Sequence, residues 1–157
     1  MSYVEKILQP DETVRHKAHI HWFIYLPALA FGAVALIIVG LVTMNIGEIG
    51  TNWRVAALIA AALFGLVALY LLLRASIERF STELVATDRR IIYKRGLIRR
   101  FTAEMNMEKV ETVLVEQGIL GRIFGYGTIT IRGTGGGMEP LPNIDDPLTF
   151  RNHVTAD

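Results

Sequence analysis

The sequence predicts an α+β membrane protein in which a transmembrane hairpin of two helices precedes a small, mainly β domain. Two apolar runs, residues 22–44 and 55–73, contain no Lys, Arg, Asp, Glu or His. At ~1.5 Å per residue they are roughly 34 and 28 Å long, which suits the about 30 Å core of a bilayer. From residue 81 onwards the pattern changes to short strands separated by turns. A buried hairpin in a soluble protein is the alternative, but the polar surface needed to cover it is missing.

The charge pattern predicts the topology of the chain in the membrane. Arg15 and Lys17 precede the first apolar run and Arg74 and Arg79 follow the second, whereas the loop between the runs contains only Arg54. Because Lys and Arg are enriched on the cytoplasmic side, both termini are expected there. The predicted parts are a cytoplasmic N-terminal segment (1–21), the transmembrane hairpin (22–73) and a cytoplasmic domain (81–157).

Small residues recur at a spacing of four along both predicted helices, and such faces let helices approach closely. The short connection makes the helices antiparallel neighbours. Packing of these faces within one hairpin and packing between subunits both remain open. The residues are Ala28 and Gly32 in the first helix and Ala57, Ala61 and Gly65 in the second.

The domain is predicted to be mainly β. Gly96 is expected to supply the positive φ of a tight turn between two strands, and Asp146 to cap a terminal helix that starts with Pro147. The predicted strands are 82–87, 90–94, 97–103, 109–117 and 128–132, with an edge strand at 138–141; helical turns are expected at 118–125 and 148–154. The predicted core comprises Val85, Ile91, Val113, Ile129 and Ile131.

Four motifs in this order resemble the membrane-flanked type of the bacterial pleckstrin-homology (PH) family. They are TDRRII (87–92), KRGL (94–97), MEKVETV (107–113) and GILGRIFGYGTITI (118–131). The resemblance implies a PH-like fold, with two nearly orthogonal antiparallel sheets closed at one end by a C-terminal helix. It also implies a multi-pass protein of the bacterial inner membrane. It leaves the function open, because one fold hosts many activities.

A basic block follows the second apolar run. Residues 74–101 carry eight basic and three acidic groups, whereas residues 102–157 carry four basic and eight acidic groups. Convergence of the basic side chains on one edge would favour binding to lipid headgroups; their distribution around the domain would indicate ordinary solvated strand faces. The candidate lipid- or partner-facing residues are Arg89, Arg90, Lys94, Arg95, Arg99 and Arg100.

Catalytic, cofactor and metal sites are not indicated. The chain has no cysteine, no phosphate-binding Gly-Lys-Ser/Thr loop and no nucleophile elbow, so an enzyme is not expected. His16, His19 and His21 are close in sequence and suggest either a metal or pH-sensing role or, as the simpler interpretation, solvated imidazoles at the membrane interface. Nucleic-acid binding is not expected, because no aromatic stacking residues accompany the basic block.

Two functions from different classes fit these observations. The first is a membrane-anchored interaction or scaffold module that binds protein partners or assembles with itself. The second is a sensor of anionic lipid headgroups that uses the basic strands 89–100. The bilayer is an expected partner in both.

Overall fold

The computed structural model describes residues 7–44, 50–97 and 100–155. Contacts divide the chain into two compact units: a helical unit, Ile24–Ser76, and a β unit that combines Met1–Phe23 with Ile77–Asp157. The β unit therefore takes residues from both sides of the helical unit along the chain. The domain limits predicted from the sequence set residues 1–21 apart from residues 81–157.

Two long helices follow a 3-10 turn at Trp22–Tyr25: α1 spans Leu26–Thr43 and α2 spans Thr51–Ser81. Pro27 lies in the first turn of α1, where its missing N–H breaks no helical hydrogen bond. The second helix ends eight residues beyond the predicted limit at residue 73, because no Gly or Pro interrupts residues 74–81.

Both helices are long and apolar enough to cross a membrane. Only 11% of the most apolar 18-residue window of each helix is buried, whereas a core helix of a soluble domain would be mostly buried. This exposure argues against the alternative of a buried helical hairpin.

Small side chains lie where α1 and α2 meet. Ala28 and Ala61 are buried, and a Cβ added to Gly32 would lie 3.9 Å from the Cβ of Ala68. The rings of Phe31 and Phe64 are 5.8 Å apart in the same unit. The other two residues of the predicted small-residue faces, Ala57 and Gly65, are partly buried.

The first sheet has the strand order β1-β2-β3-β4, all antiparallel. The strands are β1 (Val14–Ala18), β2 (Glu83–Thr87), β3 (Arg90–Arg95) and β4 (Phe101–Asn106). Ala18 pairs with Leu84, so the chain leaves β1 towards α1 and returns from α2 into β2 at the same end of the sheet. The segment Val14–Ala18 is thus an edge strand of the β unit.

The connection between β3 and β4 is longer than predicted. Gly96 has the expected positive φ of 93°. Arg95, however, pairs with Phe101, so β4 starts at residue 101 and not at residue 97.

The second sheet and two short helices complete the β unit. A 3-10 turn at Met107–Lys109 leads into β5 (Val110–Glu116), which is followed by α3 (Ile119–Phe124), β6 (Tyr126–Gly133), β7 (Gly136–Gly137), β8 (Leu141–Asp145) and α4 (Pro147–Thr155). Both β5 and β8 pair with β6. The edge strand predicted at 138–141 lies further along the chain, at Leu141–Asp145. Pro142 is tolerated there because it lies at the register shift between the pairs Gly127–Ile144 and Ile129–Leu141, where the ladder is irregular.

The main core lies between the sheets and is closed by α4, whose Phe150 is fully buried. Asp146 caps this helix as predicted, accepting a hydrogen bond from Thr149 N–H at 3.3 Å. All five predicted core residues are buried, but Val85 belongs with Ile92 to a second, smaller cluster that packs against Ile7 and Leu8. Two apolar helices, two antiparallel sheets and a C-terminal helix confirm the coarse architecture predicted from the sequence.

Candidate functional site

Arg90, one of the six basic candidates, lies in an internal ion pair. Its Nη2 is 2.9 Å from Glu12 Oε2, and its Nε donates to Glu12 Oε1 at 3.0 Å. A second carboxylate, Glu104, accepts from Arg90 Nη1 at 2.8 Å. The Glu12 side chain is fully buried and also accepts hydrogen bonds from Thr87 Oγ1 at 2.8 Å and Gln9 N–H at 2.9 Å.

The protonation of this cluster follows from its geometry. Burial alone would raise the pKa of Glu12, but hydrogen bonds from Arg90, Gln9 and Thr87, together with the positive charge of Arg90, lower it from 4.5 to about 2. The hydrogen bonds to Glu12 raise the pKa of Arg90 against the opposing effect of burial. Arg90 is therefore compensated inside the β unit and is not presented to a ligand.

The remaining basic candidates divide between the two ends of β3. Arg89 is exposed at the turn before β3, and Arg95 and Arg100 are exposed at or beyond its other end. Lys94 lies 4.0 Å from Glu83, on the neighbouring strand. At about 3.3 Å per residue, the two ends of β3 are roughly 17 Å apart, so the basic side chains do not meet at one edge. Arg99 lies outside the described residues.

A groove of about 500 Å³ runs beside β4. One wall consists of β4 itself and the other of the glycine-rich segment 133–139. Exposed Phe101 and partly buried Ala103 and Met105 supply apolar surface, and Lys109 and Glu139 supply one charge of each sign. The apposition of residues 133–137 to β4 depends on pairing between distant strands, so no local pattern in the sequence indicates it.

The outer edge of β4 presents backbone N–H groups that point away from β3. Met107 N–H donates to Arg89 O at 2.8 Å, which defines these two residues as a hydrogen-bonded pair. Because the two pair types alternate along an antiparallel ladder, the N–H groups of Thr102, Glu104 and Asn106 point away from β3. No strand in residues 7–44, 50–97 or 100–155 pairs with this edge. The outer strands β1 and β5, by contrast, are both contacted by α4.

A cluster of aromatic rings joins α3 to the residues that precede α1. Phe124 lies 5.4 Å from Phe23 and 6.1 Å from Trp22 between ring centroids, and Phe23 stacks on Tyr126 at 4.5 Å. Four large apolar side chains of α3 are exposed beside this cluster: Ile119, Leu120, Ile123 and Phe124. The sequence indicated the helical turns, but not that their apolar side chains would be left uncovered.

The three histidines lie in different surroundings. His21 is buried, stacks on Tyr126 at 5.4 Å and accepts a hydrogen bond from Phe23 N–H at 3.2 Å, so the expectation of a solvated imidazole is wrong for this residue. His16 stacks on His153 at 4.7 Å. Burial, and then the proximity of His153, lower the pKa of His16. His19 is exposed. Within the part of the chain that the structure describes, no group of three or more His, Cys, Asp or Glu could hold a metal ion.

Comparison with known proteins identifies one family. A family model described as "Bacterial PH domain" matches residues 23–157. The match begins after β1 and includes both apolar helices, β2 to β8 and α4. No curated protein matches the chain.

Proposed function

Because the chain belongs to the bacterial PH domain family, we propose that it is a non-catalytic interaction module anchored in the bacterial inner membrane, which binds an extended segment of a protein partner or of a second copy. The helices α1 and α2 cross the bilayer in this proposal. The β unit lies on the cytoplasmic side with both termini.

The anchoring part of the proposal is supported by the exposure of the helices and by the charge pattern. The helical windows are apolar and mostly unburied, and Arg and Lys are concentrated outside the 45–54 loop. Cysteines introduced singly at Thr51 and Thr155 have a clean background, because the chain has none of its own. An impermeant thiol reagent applied to intact cells should label position 51 and not position 155. Labelling of position 155 would contradict this topology.

The observation that carries the interaction proposal is the outer edge of β4 beside the groove, with which no strand among the described residues pairs. An extended segment that enters the groove can add a strand to the first sheet, with main-chain hydrogen bonds to Thr102, Glu104 and Asn106. Phe101, Ala103 and Met105 offer apolar contacts to its side chains. Proteins usually shield exposed strand edges, so an open edge beside a groove favours a binding role.

A photo-crosslinking residue at Phe101 in the full-length chain tests this proposal in intact cells. A crosslinked product is expected from position 101 and not from Asn152, an exposed residue on α4. A product of twice the chain's mass would identify a second copy, and any other mass a partner. The absence of a product from position 101 would contradict binding at the groove.

Two substitutions at Thr102 test strand addition itself. Thr102→Pro removes an outward N–H without breaking the β3–β4 ladder, so it should abolish the crosslink. Thr102→Val keeps the N–H and should preserve it. Equal melting temperatures of the two variants would show that the loss is not caused by unfolding. A crosslink that survives Thr102→Pro would rule out pairing along this edge.

The alternative function, a sensor of anionic lipid headgroups that uses strands 89–100, has weaker support. Arg90 is compensated by Glu12 and Glu104, and Arg89 lies at the opposite end of β3 from Arg95. Exposed Arg95 and Arg100 would add about 1 kcal/mol each near an anionic surface. Such an attraction disappears in high salt and does not select one lipid.

A further inference from the structure

The short helix α3 leaves its apolar side chains exposed. Ile119 is 81% exposed and Ile123 68%, and Leu120 and Phe124 are about half exposed. Four large apolar side chains on six helical residues form a contiguous patch, which in a soluble protein usually marks a surface for a partner or a membrane.

Close backbone packing and a hydrogen bond hold α3 against β6, without a contribution from Ile119 or Ile123. A Cβ on Gly121 would lie only 2.5 Å from Tyr126 O, which shows how closely the backbone of α3 approaches β6. Gln117 Nε2 donates to Tyr126 O at 3.1 Å, and Gly125, at φ 79°, ends the helix in the left-handed conformation.

The exposed patch is continuous with the residues that lead into α1. The ring of Phe124 contacts Trp22 and Phe23, which immediately precede Ile24 and the apolar helix. Trp22 itself is 46% exposed. Trp is enriched at the level of the headgroups, where an apolar ring and a polar N–H are both accommodated.

One cation lies within the patch, and the acidic groups lie at its flanks. Arg122 is the one charged residue of α3 and is exposed. The acidic neighbours lie at the flanks, Glu116 on β5, and Asp145 and Asp146 at the end of β8, where Asp146 N–H donates to Gly125 O. A cation between apolar side chains can remain with the headgroups while its neighbours enter the interfacial layer.

We propose that α3 is a membrane-surface anchor: Ile119, Leu120, Ile123 and Phe124 insert into the interfacial layer of a bilayer, with Trp22 at headgroup level. This inference rests on the proposed function, because the bilayer is the one that α1 and α2 would cross. The anchor holds the β unit at the membrane surface through a second attachment, independent of the chain connections.

Single-tryptophan variants of the full chain in vesicles with brominated phospholipids test this anchor. The chain has two tryptophans, Trp22 and Trp53. In a Trp22→Phe, Trp53→Phe background, Ile123→Trp reports on α3, and Val14→Trp reports on an exposed site at the far end of β1. The variant Trp22→Phe, which retains Trp53, reports on the start of α2.

Bromine near the headgroup end of the acyl chains should quench position 123 at least about twofold more than position 14, because only position 123 would lie in the interface. Quenching of Trp53 with equal, weak quenching of positions 123 and 14 would overturn the anchor and leave the membrane-spanning proposal intact. A blue-shifted emission from position 123 without lipid quenching would assign the patch to a protein instead and would also overturn the anchor. Absence of quenching at Trp53 would refute the membrane-spanning proposal, and the anchor with it.

Discussion

The buried pair of Glu12 and Arg90 should make the β unit sensitive to a change that removes one charge. In Glu12→Gln, Arg90 keeps its bonds to Glu104 and to Ile7 O, but its Nε and Nη2 donors face an amide in place of the Glu12 carboxylate. Breaking a buried pair by removing one partner is strongly destabilising, because the other charge is left uncompensated.

The pKa of Glu12 gives the magnitude and the sign of the pH dependence. A fall from 4.5 to about 2 corresponds to about 3 kcal/mol of stability. A carboxylate with a lowered pKa in the folded state contributes this stability fully above its unfolded pKa, near 4.5. The contribution is lost as the pH falls from there to about 2. The difference between wild type and Glu12→Gln should thus be about 3 kcal/mol at pH 7 and shrink between pH 4.5 and pH 2.

Urea unfolding of the detergent-solubilised full chain measures this difference. In a Trp53→Phe background, the fluorescence of Trp22 reports on the β unit, because Trp22 contacts His21, Phe23 and Phe124 there. Glu111→Gln, at an exposed position on β5, is the control and should change the free energy of unfolding by less than about 0.5 kcal/mol. A loss below about 1 kcal/mol at pH 7 for Glu12→Gln, or a difference from wild type that does not vary with pH, would refute this account of the cluster.

Three further outcomes are expected. Gly121→Ala should destabilise the β unit by about 1–3 kcal/mol, because the added Cβ would meet Tyr126 O. Gly118→Ala, whose added Cβ would have no atom within 4 Å, should be nearly neutral. Equal melting temperatures of the two variants would contradict this. Because the pKa of His16 is lowered in the folded state, the unfolded chain binds a proton more readily. Stability should therefore fall as the pH drops below about 6.5, and it should fall less in His153→Gln. Thermal melts at pH 7.5 and 5.5 measure this difference. Residues 81–157 alone should not fold, because they lack β1 and Glu12. Residues 7–23 joined by a flexible linker to residues 77–157 should give the dispersed NMR spectrum of a folded domain. A folded 81–157 fragment would contradict this.

The parts of the fold that the sequence predicted are those with a local signal. Alternating Thr and Ile predicted β6, Asp146-Pro147 predicted the start of α4, and two uncharged apolar runs predicted α1 and most of α2. Hydrophobic periodicity and helix capping involve residues only a few positions apart, so the sequence shows them directly.

The parts that were missed depend on partners far away in the chain. The strand β1 contains Arg15, His16 and Lys17 and alternates poorly; it is a strand because β2, about 70 residues later, offers it hydrogen bonds. Arg90 resembled its basic neighbours in sequence, and only the fold brings Glu12, 78 residues earlier, to its side. The groove beside β4 was missed for the same reason, because segment 133–139 lies beside β4 only in the folded β unit.

Along the chain, both apolar helices lie between two strands that pair with each other, and this order has a consequence for biosynthesis. Val14 and its partner Thr87 are 73 residues apart, and at ~5–20 residues per second a ribosome takes roughly 4 to 15 s to make that stretch. During this interval the first strand has left the ribosome while the strand that completes its sheet does not yet exist. Its Arg15, His16 and Lys17 keep this waiting edge polar and thereby oppose its pairing with other nascent chains. The β unit therefore cannot fold fully before both helices have been synthesised.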